Sequence, residues 1–306
     1  MKSGGKSIIL REIIQDNIVN AIKKKIRNYL LITRLDRPTG WILLFIPCLY
    51  GTAAGSIYTN QEINMEIIAL FLLGAILMRS SGCIFNDIID RNIDAKVERT
   101  KNRPLANQSM SIYEAILLLC LLLFFSFLIL ISFNLLTIFL GISSMALVVI
   151  YPFMKRITHW PQLFLGITFN WGVLLGWTAI SNSVQLEMFL IYLSSIFWTL
   201  GYDTVYGYQD INDDQKIGIK STSVLFGKKS KKIIWLFYSL SFLIMLISLM
   251  MISVKNISLF LFLGAFLYTS FLIKRLRIDD IQSCANFFSM NKYIGSLICA
   301  SILVSI

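Results

Sequence analysis

Residues 113–132 read YEAILLLCLLLFFSFLILIS, twenty positions with one acid, Glu114, and no base. A helix needs about 20 apolar residues to cross about 30 Å of hydrocarbon, at roughly 1.5 Å per residue. A run of this length and purity predicts a transmembrane helix. After Phe133 the pattern resumes over residues 134–151, which predicts two spans joined by a tight hairpin.

Outward from this pair, seven further apolar segments fall at roughly residues 39–58, 66–85, 161–180, 186–206, 233–253, 257–273 and 288–305. The chain is 56% hydrophobic and only 15% charged, where soluble domains carry about 25% charged residues. The expected fold is therefore all-α: a polytopic membrane protein with nine transmembrane helices around a central cavity. No polar linker divides it, so residues 31–306 read as one nine-helix domain. Residues 1–30 read as an amphipathic cytoplasmic segment. Ile9, Ile13 and Leu30 are among its apolar positions, and Lys23, Lys24, Lys25 and Arg27 suit it to an anionic membrane surface.

The net charge of +11 does not indicate nucleic acid, because the cations sit in short segments between apolar runs. Lys23–Lys25, Arg34 and Arg37 precede the first span. Arg91 to Arg103 follow the second, Lys155 and Arg156 the fourth, Lys216 to Lys232 the sixth, and Lys274 to Lys292 the eighth. With alternating helices, all these fall on one side, and the opposite loops contain one base, Lys255. The positive-inside rule then places the N-terminus in the cytoplasm and the C-terminus on the periplasmic side. No secretory or targeting peptide is evident at the start, which favours a bacterial inner membrane. Five scattered cysteines and the single His159 indicate neither a disulfide framework nor a zinc site.

Two of the cytoplasmic loops carry acids as well as bases. The first contains Asn86, Asp87, Asp90 and Asp94, then Arg99, Lys101 and Arg103. If the second span's helix continues, Asp87, Asp90 and Asp94 share one face at i, i+3 and i+7. Asn86, one turn before Asp90, completes this group of metal-ligand candidates. Three carboxylates on one stripe repel one another unless a cation sits among them. Mg²⁺ favours such oxygen ligands together with substrate phosphates. Arg99 and Arg103 are candidate donors to those phosphates.

The second loop repeats the design. Asp203 stands near the end of the sixth span, where an unpaired carboxylate is costly and usually functional. Asp210 and Asp214 follow, one helical turn apart, with Lys220 beyond them. Two such stations facing a cavity would hold two Mg²⁺ ions across one diphosphate. Lys155 and Arg156 end the fourth span, and Arg79 lies inside the second, where it requires an acidic or diphosphate partner. A transporter would spread its ionisable groups along mid-span positions. Here they gather at span ends, which favours an enzyme site.

Together these residues resemble the UbiA superfamily of intramembrane aromatic prenyltransferases. Asn86 to Asp94 with Arg99-Thr100 and Arg103-Pro104-Leu105 is similar to the first aspartate-rich motif. Asp203 to Asp214, continuing to Gly218-Ile219-Lys220-Ser221-Thr222, is similar to the second. Arg34 to Trp41 and Tyr151 to Thr158 bring the resemblance closest to the branch that prenylates 4-hydroxybenzoate in ubiquinone biosynthesis. Arg37 stands where that branch commonly has lysine.

The resemblance implies transfer of a polyprenyl group from polyprenyl diphosphate to the acceptor ring, ortho to its hydroxyl. Other acceptors in the superfamily are a menaquinone precursor and haem. It implies Mg²⁺ on Asp87, Asp90 and Asp94 and on Asp210 and Asp214, with Arg99, Arg103, Lys155 and Lys220 on the diphosphate. Tyr206, Tyr208 and Phe169 become candidate shields for an allylic cation. Asp203 is the candidate base for the ring proton, and Arg156 or Arg34 the candidate for the acceptor carboxylate.

Overall fold

The structure, a computed structural model, describes residues 4–306; of residues 4–16, Ile18, Ile217 and Lys228 it describes the backbone alone. The first three residues of the amphipathic segment, and the side chains of Ile9 and Ile13, lie outside the described residues. Twelve α-helices follow in order: α1 (Gly4–Thr33), α2 (Thr39–Thr59), α3 (Met65–Asp94), α4 (Ile112–Leu130), α5 (Leu135–Ile157), α6 (Pro161–Ser181), α7 (Leu186–Gly207), α8 (Ile211–Ile217), α9 (Thr222–Phe226), α10 (Ser230–Met251), α11 (Asn256–Arg275) and α12 (Ile281–Leu303). Among the described residues there is no strand.

Eight of these, α2 to α7, α10 and α11, are long and apolar enough to cross a membrane. The ninth expected span forms a long helix too, α12, but falls short in apolar character. Asn286, Asn291, Lys292 and several serines interrupt it. Of these, Asn291 is fully buried and is satisfied inside the bundle, where α12 packs on α2, α7 and α11. Asn291 Oδ1 accepts from the Trp198 indole at 2.9 Å and from the Tyr238 hydroxyl at 2.6 Å. Tyr50 donates to the Gly295 carbonyl at 3.0 Å. A helix so bonded need not be apolar all round.

Local sequence sets the helix ends. The Asn64 side chain accepts from the Glu66 and Ile67 amides and starts α3. Asn134 accepts from the Thr137 amide at 3.0 Å, which starts α5 and closes the hairpin from α4. Its amide also donates to the Thr178 carbonyl at 2.7 Å, tying the hairpin to α6. Asn60 and Asn182, both left-handed, end α2 and α6.

The closest helix crossing is α2 on α6, where each helix carries a Gly-x-x-x-Gly pair, Gly51/Gly55 and Gly172/Gly176. A methyl group on Gly51 would lie 2.1 Å from the Val173 carbonyl oxygen, and one on Gly176 would lie 2.3 Å from that of Cys48. On the other side of the bundle the packing is sparse. α4 rests on α3 and α5 on α6, while α4 and α5 touch each other little beyond their hairpin. α3, with 30 residues, is about 45 Å long at 1.5 Å per residue. It outruns the hydrocarbon, so its last turns carry Asp87, Asp90 and Asp94 to the bundle end where α8 and α9 lie.

Candidate active site

A cavity of about 1150 Å³ occupies the bundle between α2, α3, α5 and α6. One end is ionic, walled by Asp87 and Asp94 of α3 and by Asp210 and Asp214 at α8. The remainder is apolar, reaching along α4 and α5 to Phe71 and Phe133, whose rings stack at 4.8 Å. Phe71 stands sixteen residues before Asp87 on the same helix, about 24 Å along its axis.

The two aspartate stations meet. Arg99, from the segment after α3, donates through Nε to Asp210 Oδ1 at 2.7 Å and through Nη1 to the Tyr206 hydroxyl at 2.9 Å. Asp87, 2% exposed, accepts from Arg34 Nη2 at 2.9 and 2.8 Å and from Arg103 Nη1 at 2.9 Å. Arg103 Nη1 also donates to Asp94 Oδ2 at 2.7 Å. Asp90, fully buried, pairs with Lys155 and, at 3.1 Å, with Arg156. Opposite charges this close and this sheltered from water hold one another far more firmly than surface pairs.

Among the described residues, no three acidic, histidine or cysteine side chains form a ready metal cluster. The donor set nevertheless suits a hard divalent ion. Its ligands are all carboxylate oxygens, and between Asp87 and Asp94 one guanidinium already occupies the shared position a cation would take. The Asp214 carboxylate accepts no hydrogen bond among the described residues. Burial, reinforced by the neighbouring Asp210 charge and opposed by Lys155 and Arg99, pushes its carboxyl up to about 6.

Most expected site residues lie on this cavity: Arg34, Arg79, Asn86, Phe169, Asp203 and Tyr206, besides the groups above. Four are placed differently. Asp90 and Arg156 are paired behind the wall instead of lining it. Lys220 lines the cavity, but its ammonium caps the end of α5 by donating to the Ile157 carbonyl at 3.0 Å. The Gly218–Thr222 run is thereby a brace: the Lys220 amide donates to the Lys155 carbonyl, and Thr204 and Thr222 hydroxyls bond at 2.7 Å. Tyr208 is buried and bonds to Ser223, Gly227 and Ser230, so it serves packing and not the cavity.

Arg79 is the exception to the pairing. Its Nε is buried without a hydrogen-bond partner, and its guanidinium lies 5.2 Å from the Phe169 ring centre. The Asp203 carboxylate, on the same cavity, accepts no hydrogen bond among the described residues. Sequence reasoning missed Gln209, whose buried Nε2 is also unpartnered at the cavity wall. Its place beside Asp210 was the available signal.

Fold and site together define a multi-pass α-helical membrane protein whose apolar cavity is closed at one end by paired carboxylates and cations. The profile of the UbiA prenyltransferase family matches residues 44–295. A mitochondrial 4-hydroxybenzoate polyprenyltransferase of Drosophila pseudoobscura pseudoobscura is 47% identical over 209 residues, 68% of this chain and 52% of that protein. The chain thus matches about half the length of such mitochondrial relatives. A 4-hydroxybenzoate octaprenyltransferase of Vibrio cholerae serotype O1 is 39% identical over 285 residues, 92% of this chain and 98% of that protein. Among solved structures, a UbiA homologue from Aeropyrum pernix K1 superposes with a TM-score of 0.71 at 22% identity, covering 86% of this chain and 97% of its own. One from Archaeoglobus fulgidus, bound to GPP and Mg²⁺, gives 0.67 at 17% identity, covering 91% and 99%. The chain belongs to the UbiA prenyltransferase family.

Proposed function

We propose that this chain transfers a polyprenyl group from polyprenyl diphosphate to 4-hydroxybenzoate, at the ring carbon ortho to the hydroxyl, in ubiquinone biosynthesis. One observation carries the proposal: two carboxylate stations and their cations close one end of a cavity that is otherwise apolar. The names of the bacterial relatives that match along nearly their whole length support the acceptor.

Arg34, Arg99, Arg103 and Lys155 exchange their carboxylate partners for phosphate oxygens when the diphosphate enters. Asp87, Asp94, Asp210 and Asp214 would hold Mg²⁺, whose charge would stabilise the leaving diphosphate; that the Archaeoglobus relative is bound to GPP and Mg²⁺ supports a role for the metal. Asp90 fixes Lys155 and Arg156 from behind. The allylic C–O bond breaks, its electron pair leaving with the diphosphate. The allylic carbocation lies near Tyr206 and Phe169, whose faces shield it. The acceptor's electron-rich carbon forms the new bond, and Asp203 takes the ring proton. Arg79, unpaired and buried, receives the acceptor carboxylate. The tail lies along α3, α4 and α5, in surroundings as apolar as the lipid it leaves.

α12 completes nine spans in this reading, with the N-terminus and the aspartates on the cytoplasmic side of a bacterial inner membrane. The test is direct. Purified protein in vesicles, given 4-hydroxybenzoate, a polyprenyl diphosphate and Mg²⁺, yields the prenylated acid. Turnover with a haem or menaquinone precursor but not with 4-hydroxybenzoate overturns the acceptor; solute uptake without product overturns the enzyme.

A further inference from the structure

We infer that α1 lies in the plane of the membrane, with the stripe Val19, Ile22, Ile26 and Leu30 pressed into an anionic lipid surface. These four side chains are exposed by 40%, 53%, 53% and 43%. At 3.6 residues per turn, spacings of three, four and four hold them within an arc of about 80°. Among the described residues nothing covers that arc.

The other side of the helix is committed. The Asn28 side chain donates to the Ser109 carbonyl at 2.9 Å, the Tyr29 hydroxyl donates to Glu114 at 2.6 Å, and Lys25 pairs with Glu114 at 3.3 Å. Ile32 is fully buried. Glu114 belongs to the first turn of α4, the helix with the least buried surface among the spans. The last turns of α1 are therefore fixed at the level where α4 enters the hydrocarbon. A helix pinned at that height, with an unpartnered apolar stripe, meets the lipid interface.

Charge selects the lipid. Lys23 and Arg27 follow the stripe along one flank, both exposed, and no acid lies between Asn17 and Leu30. Anionic headgroups complement this arrangement, whereas zwitterionic ones leave the cations unmatched. The inference rests on the membrane orientation proposed above and not on the chemistry.

The full-length protein tests it in vesicles. Cys120 is the exposed cysteine among the five, so Cys120→Ser provides a background in which Ile22→Cys or Lys24→Cys is labelled with an environment-sensitive fluorophore. Lys24 points away from the stripe. In vesicles of phosphatidylglycerol and phosphatidylethanolamine, the probe at 22 is expected to be quenched by a lipid-borne quencher and shielded from iodide, with the reverse at 24. Adding Lys23→Gln and Arg27→Gln weakens lipid contact at 22 about fivefold per cation removed, while phosphatidylcholine vesicles abolish the effect of those substitutions. Equal iodide access at 22 and 24 overturns the inference. So does shielding at 22 that disappears on diluting protein into lipid, which identifies a second copy as the occupant. Neither result depends on prenyl transfer, so failure here and failure of the proposed reaction are separable.

Discussion

Arg99 and Asp210 lie 111 residues apart and form the bond that closes one aspartate segment onto the other, with Nε to Oδ1 at 2.7 Å. The guanidinium also reaches Tyr206. One side chain thus holds together the two halves of a site that neither half forms alone.

Replacing Arg99 with lysine keeps the charge and loses the planar fork. Hydrogen bonds to charged groups contribute about 1.5–3 kcal/mol each, so kcat/KM for the polyprenyl diphosphate is expected to fall by roughly ten- to a hundredfold. An unchanged kcat/KM in steady-state assays would show that Arg99 serves only the fold.

Asp90→Asn separates stability from chemistry. The carboxylate is fully buried against Lys155 and Arg156, and breaking a buried pair costs about 3–5 kcal/mol. Thermal unfolding in detergent is expected to drop markedly. Asp210→Asn, at a carboxylate nearer solvent, is expected to lower the unfolding temperature less than Asp90→Asn does while losing at least about a hundredfold in activity through weaker metal binding. Chelation of Mg²⁺ should abolish turnover in the parent.

Asp214 gives the pH dependence. Its carboxyl is raised from 3.8 to about 6, so it is protonated below that pH and a ligand only above it. The Mg²⁺ concentration for half-maximal activity is expected to rise about tenfold per pH unit below 6, one proton competing with one ion. Without metal the sign for stability is opposite: the protonated form is favoured in the fold, so its contribution is complete below 3.8 and is lost as pH rises through about 6. Asp214→Asn should flatten both trends.

Arg79→Lys probes the acceptor. The KM for 4-hydroxybenzoate is expected to rise roughly ten- to a hundredfold, on the same hydrogen-bond magnitudes, with little change in the KM for the diphosphate. An equal rise in both would place Arg79 on the diphosphate.

Gly74→Phe narrows the tail channel. A Cβ there meets its first neighbour, Ile129, only at 3.9 Å, and Gly74 lines the cavity, so a ring at this position is expected to enter it. Octaprenyl diphosphate is expected to lose turnover while geranyl diphosphate keeps it. Equal loss for both would deny that the tail passes Gly74.

Much of this was legible in the residues. Hydropathy located the eight candidate spans because a bilayer imposes length and apolarity on each one separately, though α3 and α5 run on past their apolar stretches. The hairpin at Asn134 was readable from the single residue between two runs, and the capping bond to Thr137 is its cause. α12 was readable as a helix, but its bonds through Asn291 to Trp198 and Tyr238 depend on helices far away in sequence. The carboxylate faces followed from helical spacing; their partners did not. Nothing local tells that Arg156 backs Asp90, that Lys220 caps α5, or that Arg79 stays unpaired. The two Gly-x-x-x-Gly pairs were a signal that went unread, and they mark the tightest crossing in the bundle.

That crossing has a mechanical consequence. Where α2 and α6 meet backbone to backbone, the molecule has a stiff spine on which even one methyl group is too many. Across the chamber, α4 and α5 form a slack curtain facing lipid. Selection acting on this protein can therefore recontour the curtain for longer or shorter tails by ordinary substitutions, while a side chain added at Gly51 or Gly176 would force α2 and α6 apart.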